Sequence, residues 1–266
     1  MNKKAHYKIL DFDNVYKTYS GSIPTKSKAY FLRYLPLVEK SQYLPEFAYL
    51  VGKVMGDGHL DHNFSLKFIS GIKKPLERLS KFIANIFDVP KKNLRIIKRF
   101  DLEGKRFSLC VNFTSLGRIL YLLGAPVGNK TKVNFDVRSW ISNNRLCKKR
   151  FLQAILEDEL ATIKIERASH SNYPIFKMTK EKHLLTNLYN FLSTIKRFLA
   201  DFDITTSNIS APTQTKSSKY ELYFKIHRNK RNIIRYAENI GFRFDTKKVE
   251  SLNRCVEVLK KYPGRG

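Results

Sequence analysis

Residues 49–60 read YLVGKVMGDGHL, and residues 151–160 read FLQAILEDEL. Each is an apolar, helix-like run that ends in a carboxylate, Asp57 in the first and Glu159 in the second, 102 residues apart. Taken alone, Gly56-Asp57-Gly58 fits an ordinary helix-ending turn, because glycine supplies backbone conformations that other residues resist. It fits equally well one half of a metal site, in which case the other half lies elsewhere in the chain.

Working outward, the pattern around the first run repeats. A mainly apolar helix at 45–56 is followed by strand-like pieces at 58–62 and 64–70, then by an amphipathic helix at 75–87 with Leu76, Leu79, Phe82, Ile83 and Ile86 on one face. Strands at 93–99 and 105–113 flank a Gly-containing turn, and a further helix ends at Gly124 with Pro126 just beyond. A connector leads to a second round: helix 145–159, strands 161–167 and 173–179, helix 181–199, strands 203–210 and 219–227, and a helix over 229–240. A last amphipathic helix fits 246–262. The duplication predicts an α+β chain of two αββαββα repeats, with an N-terminal basic extension at 1–44 (helix 28–40), a first repeat at 45–127, a connector at 128–144 and a second repeat at 145–266.

The bulk numbers restrict the partners. Fifty Lys and Arg against 23 Asp and Glu give a net charge of +27, while 42% hydrophobic residues fit a folded core. Such a field attracts polyanions, and nucleic acid is the first candidate. No apolar run reaches the ~18–20 residues of a membrane span, and the first residues lack the apolar core of a secretory signal. Cys110, Cys147 and Cys255 are scattered, which suggests neither a disulfide framework nor a zinc site. A reducing, intracellular setting follows, cytoplasmic or organellar.

The duplication also pairs the carboxylates. Gly52 and Gly56 share a helix face, and Ala154 and Asp158 occupy the matching positions of the second helix. Small residues at 52 and 154 would let two parallel helices approach closely, which would bring Asp57 and Glu159 to one spot. Two carboxylates so placed repel unless a cation or a proton sits between them. Oxygen ligands without paired His or Cys favour Mg²⁺ or Mn²⁺.

With these residues the chain resembles the LAGLIDADG homing endonucleases, in their single-chain, two-motif, archaeal and intein-like form. The motif copies are Leu50-Val51-Gly52-Lys53-Val54-Met55-Gly56-Asp57-Gly58 and Leu152-Gln153-Ala154-Ile155-Leu156-Glu157-Asp158-Glu159-Leu160. The resemblance covers nearly the whole chain. It implies a saddle of antiparallel strands lying in the DNA major groove, with the motif helices at its centre. It also implies metal ions held by Asp57 and Glu159, and a double-strand cut in a long, nearly asymmetric target by a monomer. A basic residue near the end of the second strand of each half is implied as catalytic support, which points to Lys180 in the second half and to Lys73 (or Lys74) in the first. Leu160 departs from the motif glycine, so the second helix must end by other means, and the acidic run 157–159 leaves the register open by one. That departure leaves a nicking or binding-only relative as an alternative. An intron-encoded maturase that grips intron RNA is another.

Strand alternation selects a DNA-facing set: Ser65, Lys67, Thr162, Lys164, Lys177, Asn208, Tyr223 and Lys225. Leu66, Phe68, Phe176, Met178, Leu222 and Phe224 alternate with them and face a core. His59 reads as a surface residue, and Trp140 as a packing anchor of the connector. For a complete chain, the missing splicing Cys or Ser at the start and the missing terminal His-Asn pair predict a free endonuclease.

Overall fold

A computed structural model describes residues 7–101, 104–163 and 174–261. The fold is α+β with antiparallel sheets. The chain divides into two units, Met1–Gly128 with Arg138–Phe151, and Asn129–Val137 with Leu152–Gly266.

In the first unit, β1 (Lys8–Leu10), α1 (Phe12–Tyr16), α2 (Thr25–Tyr34) and β2 (Leu37–Val38) precede the first motif helix α3 (Leu44–Met55). The helix expected at 28–40 stops at Tyr34, because Pro36 forces Leu35 into an extended conformation. The N-terminal extension belongs to the core rather than trailing from it: Val15, Phe31 and Leu37 are fully buried. A chain of ring contacts, edge-to-face for Tyr30–Phe31 and Tyr34–Phe47 and tilted for Tyr30–Tyr34, joins these residues to α3. Then come β3 (His59–Leu60), β4 (Leu66–Ser70), α4 (Lys73–Ile86), β5 (Leu94–Asp101), β6 (Gly104–Val111) and α5 (Thr114–Leu122). The sheet order is β3-β4-β6-β5, and α4 covers the face formed by Leu66, Phe68 and Leu109. Four α4 residues close that face, Leu76, Leu79, Phe82 and Ile83, each contributing roughly 1.5–3 kcal/mol by burial. The short α6 (Ser139–Ser142) carries Trp140, which is buried and donates its indole N–H to Leu123 O at 3.1 Å. It anchors as expected.

The second motif helix α7 (Arg145–Glu159) begins in the first unit and ends in the second. Within the second unit follow β7 (Ile175–Lys180), α8 (Leu185–Ala200), β8 (Thr213–Gln214), β9 (Tyr220–Lys225), α9 (Lys230–Asn239) and α10 (Thr246–Lys261). The sheet order is β7-β9-β8, and α8 packs on it. Two expected strands differ. Residues 161–163 form no strand, and 164–173, with Lys164, lie outside the described residues. The strand expected at 203–210 is an irregular segment alongside β9. There the Ser207 and Ser210 hydroxyls accept the N–H groups of Lys225 and Tyr223, a role that carbonyls of a regular strand would fill. Among the described residues no helix is long and apolar enough to cross a membrane.

Candidate active site and nucleic-acid interface

The glycines around Asp57 have distinct jobs. Gly56 caps α3 with φ −79° and ψ −124°, a conformation that ends the helix abruptly. The Gly58 N–H then donates to Lys53 O at 2.8 Å, folding the chain back under the last helical turn. A Cβ on Gly58 would lie 2.5 Å from Lys53 O and 2.9 Å from Val54 Cα. The turn therefore presses glycine backbone against the helix and leaves Asp57 exposed at its vertex. Two residues on, His59 opens β3 opposite Lys67, half-exposed and 3.7 Å from Asp61.

The second motif helix ends differently. Leu160 is buried, keeps the helical bond to Leu156 O at 3.0 Å and bridges to Phe176. The acidic run is sorted by its contacts. Glu157 is buried, and its Oε1 accepts the N–H groups of Arg243, Phe244 and Asp245 at 2.8, 2.6 and 2.9 Å. A carboxylate holding three backbone donors is part of the architecture. Asp158 and Glu159 are half-exposed at the helix end. Asp57 lies in the first unit and Glu159 in the second. Among the described residues no group of three or more His, Cys, Asp or Glu side chains could by itself hold a metal ion. The donor set still suits a hard divalent cation: each motif helix ends in a carboxylate open to solvent, and Mg²⁺ commonly takes one or two carboxylates and fills the remaining positions with water and phosphate.

Lys180 does not fit the catalytic role that the resemblance implies. It is 1% exposed, and its Nζ donates to Val133 O at 2.6 Å and Asn187 Oδ1 at 2.5 Å, over the Phe135 ring at 3.9 Å. Asn187 in turn holds both the N–H and the C=O of Phe135. These bonds pin connector residues 133–135 to the second unit. The alternation of β7 explains the placement, since Phe176, Met178 and Lys180 share the core-facing side. Burial pulls the ammonium down to about 8 from its ordinary 10.5, with Asp136 offsetting part of the effect. The folded state then sheds this proton near pH 8, whereas the unfolded chain keeps it to about 10.5. Between these values the unfolded state binds more protons, so stability rises with pH. Wild type is therefore expected to gain melting temperature relative to Lys180→Met as pH goes from 8 to 10; a constant difference across that range would count against this placement. Lys73 stands at the exposed start of α4 and pairs with Glu77 at 2.9 Å.

The outward sheet faces follow the expected alternation where the strands are described. In the first sheet, register places Lys67 beside Cys110 and Arg95, Ile69 beside Ser108 and Ile97, and Arg99 beside Arg106. Lys67, Arg95, Arg99 and Arg106 thus form a basic stripe, with Ser65 on the same face. Lys67 and Ser65 belong to the predicted set; the three arginines do not, although the period of two in 94–99 carries them. In the second sheet Lys177, Tyr223 and Lys225 face outward, with Lys177 3.2 Å from Glu221 and its side chain 59% exposed. Thr162 is half-exposed and Asn208 is exposed, neither in a strand. Gly52, Gly56 and Ala154 are all buried.

No protein-family model matches the chain. A tRNA-splicing ligase RtcB of Methanopyrus kandleri is 28% identical over 242 residues, 83% of this chain and 24% of that protein. A replication factor C small subunit of Methanocaldococcus jannaschii is 24% identical over 214 residues, 75% of this chain and 11% of that protein. A DNA-directed RNA polymerase subunit Rpo1N of the same organism is 31% identical over 212 residues, 72% and 15%. The chain thus spans a quarter or less of these curated relatives. Among solved structures, a variant of I-DmoI in complex with its nicked target DNA and manganese aligns with TM-score 0.44 at 13% identity, covering 74% of this chain and 95% of that one.

Proposed function

We propose that the chain is a divalent-metal-dependent, site-specific DNA endonuclease of the LAGLIDADG type, cutting both strands of a long, nearly asymmetric target. The observation that carries this reading is the continuity between Asp57 and the basic stripe. The turn that presents the carboxylate runs directly into β3, whose His59 pairs with Lys67 at one end of the stripe. A pure binder gains nothing from a carboxylate so close to a phosphate-seeking surface.

The relatives support the same reading by their diversity. Proteins named for ligation, replication and transcription share this segment, and it is at most 24% of each. A segment found in such different settings carries its own activity, as expected of an intein-type or intron-encoded module. The ligase name is accordingly not read onto this chain.

In this reading Asp57 and Glu159 would be the ligands that hold Mg²⁺ or Mn²⁺ for attack on the scissile phosphates. When bound, the cation polarises the phosphate and acidifies a water. The chain's own residues do the rest. The glycine turn fixes Asp57, the stripe of Lys67, Arg95, Arg99 and Arg106 neutralises phosphates, and Ser65, Lys177, Tyr223 and Lys225 meet base edges in the major groove. Thr162, Lys164 and Asn208 extend that set. Lys73, at the exposed start of α4, keeps the part of catalytic support for the first half, and Lys180 is left to its structural task. Monomeric action is part of the proposal.

Two experiments follow. Incubating a randomised duplex library with the protein and Mg²⁺, then sequencing the ends, is expected to enrich one long site, with nothing enriched in EDTA. No enrichment by folded protein in either Mg²⁺ or Mn²⁺ would sink the reading. On the enriched site, Arg95→Ser with Arg99→Ser is expected to weaken binding and to lower the slope of log affinity against log salt by about 0.9 for each lost phosphate contact. An unchanged slope would remove the stripe from the interface.

A further inference from the structure

The two motif helices present their carboxylates with different devices. In the first, the Gly58 N–H closes the end from within the chain. In the second, the Leu160 N–H keeps the ordinary helical bond to Leu156 O instead, and the last carbonyls of a helix have no partners within it. Lys248 of α10 supplies them: its Nζ lies 2.6 Å from Glu157 O and 2.7 Å from Leu160 O. An ammonium at a helix C-terminus also meets the negative end of the helix dipole. The start of α10 is locked in return. Glu157 accepts the N–H groups of residues 243–245, and Asp245 Oδ1 accepts the Lys248 N–H at 3.1 Å as a helix cap. One turn further along α10, Ser251 Oγ donates to Ile163 O at 2.6 Å. Glu159 therefore sits between two residues, 157 and 160, whose carbonyls are held by one ammonium.

We propose that Lys248 is a positioning residue for Glu159, taking for the second carboxylate the part that Gly58 takes for Asp57. This rests on the proposed function. The Leu160 departure is then no sign of a decayed site, because the missing glycine is replaced by a lysine 88 positions downstream.

The test uses the full chain and the DNA site found by selection, with wild type, Lys248→Met, Lys248→Arg and Glu159→Gln. Calorimetric titration of Ca²⁺ into the protein–DNA complex reads metal binding without turnover, and single-turnover cleavage in Mn²⁺ reads rate and metal requirement. Lys248→Met is expected to weaken Ca²⁺ binding about tenfold, to raise the Mn²⁺ needed for half-maximal rate about tenfold, and to change DNA affinity less than threefold. Lys248→Arg, which still donates to both carbonyls, is expected to recover metal binding to within threefold of wild type. A merely structural lysine would lower the melting temperature and leave the metal requirement of the folded fraction at the wild-type value. That result overturns the proposal, as does a Lys248→Arg no better than Lys248→Met. If Lys248→Met melts below the assay temperature, Lys248→Gln, whose neutral amide is too short to reach both carbonyls, takes its place with the same expectations. Glu159→Gln separates the two levels: if it cuts like wild type, Glu159 is not a metal ligand and the positioning role of Lys248 falls with it, whereas an absence of cleavage by wild type itself would overturn the proposed function.

Discussion

Asp57→Asn is expected to abolish cleavage and to leave the DNA bound. Asparagine has the shape of aspartate, and Asp57 is exposed at the vertex of its turn, so the melting temperature is expected to change far less than the rate. What is lost is the negative charge that would hold a cation at the phosphate. Charge stabilisation of that kind is worth several kcal/mol in the transition state, so the single-turnover rate should fall by at least about a hundredfold. Binding measured in Ca²⁺ should stay within a few fold of wild type, or tighten, because a carboxylate is removed from beside the phosphates. Glu159→Gln should behave alike, and Glu157→Gln should differ. Glu157 holds the three N–H groups of residues 243–245, so its loss should register first in the melting temperature of the second unit. Wild-type cutting rates in both Asp57→Asn and Glu159→Gln would refute the metal-pair assignment.

The contrast between Glu157 and Glu159 shows how far the residues could be read in advance. Local order was legible: α7 spans the expected residues 145–159, and the alternation of 65–70 and 175–180 correctly divides core from outward side chains. Lys180 departs from the role that the resemblance implies because strand periodicity decides its side. The same period of two that turns Lys177 outward turns Lys180 inward, onto Val133 and Asn187. The three arginines of β5 and β6 were within reach of that rule as well. Other features were out of reach in principle. Ser207 and Ser210 replace a strand's carbonyls with hydroxyls, which no propensity scale registers. The device that ends α7 joins Leu160 to Lys248 across 88 positions, and only the folded chain brings them together.

Gly58→Ala is expected to damage the first site more than its single added methyl suggests. The new Cβ would lie 2.5 Å from Lys53 O, 2.9 Å from Val54 Cα and 2.9 Å from Phe68 Cδ1. Two of these atoms are backbone of α3, and the third is a fully packed ring in β4. None can move away as the end of a flexible side chain could. Either the last turn of α3 opens, giving up the Gly58 N–H bond to Lys53 O, or β3 shifts against β4. Overpacking of this kind costs about 2–3 kcal/mol, roughly 5–10 °C in melting temperature for a unit of this size. The effect on chemistry should be larger in proportion. Either relaxation displaces Asp57 by about an ångström, and misplacement on that scale costs on the order of a hundredfold in rate. Gly71→Ala is the control, since Gly71 has open space around its Cβ position and no left-handed φ; it should change stability by less than about 0.5 kcal/mol and leave cutting intact. Calorimetry and single-turnover cleavage on the two variants distinguish the cases. If Gly58→Ala melts and cuts like Gly71→Ala, then the glycine after Asp57 is not what sets the carboxylate in place, and the turn that opens YLVGKVMGDGHL toward the sheet is held by something other than its close approach to α3.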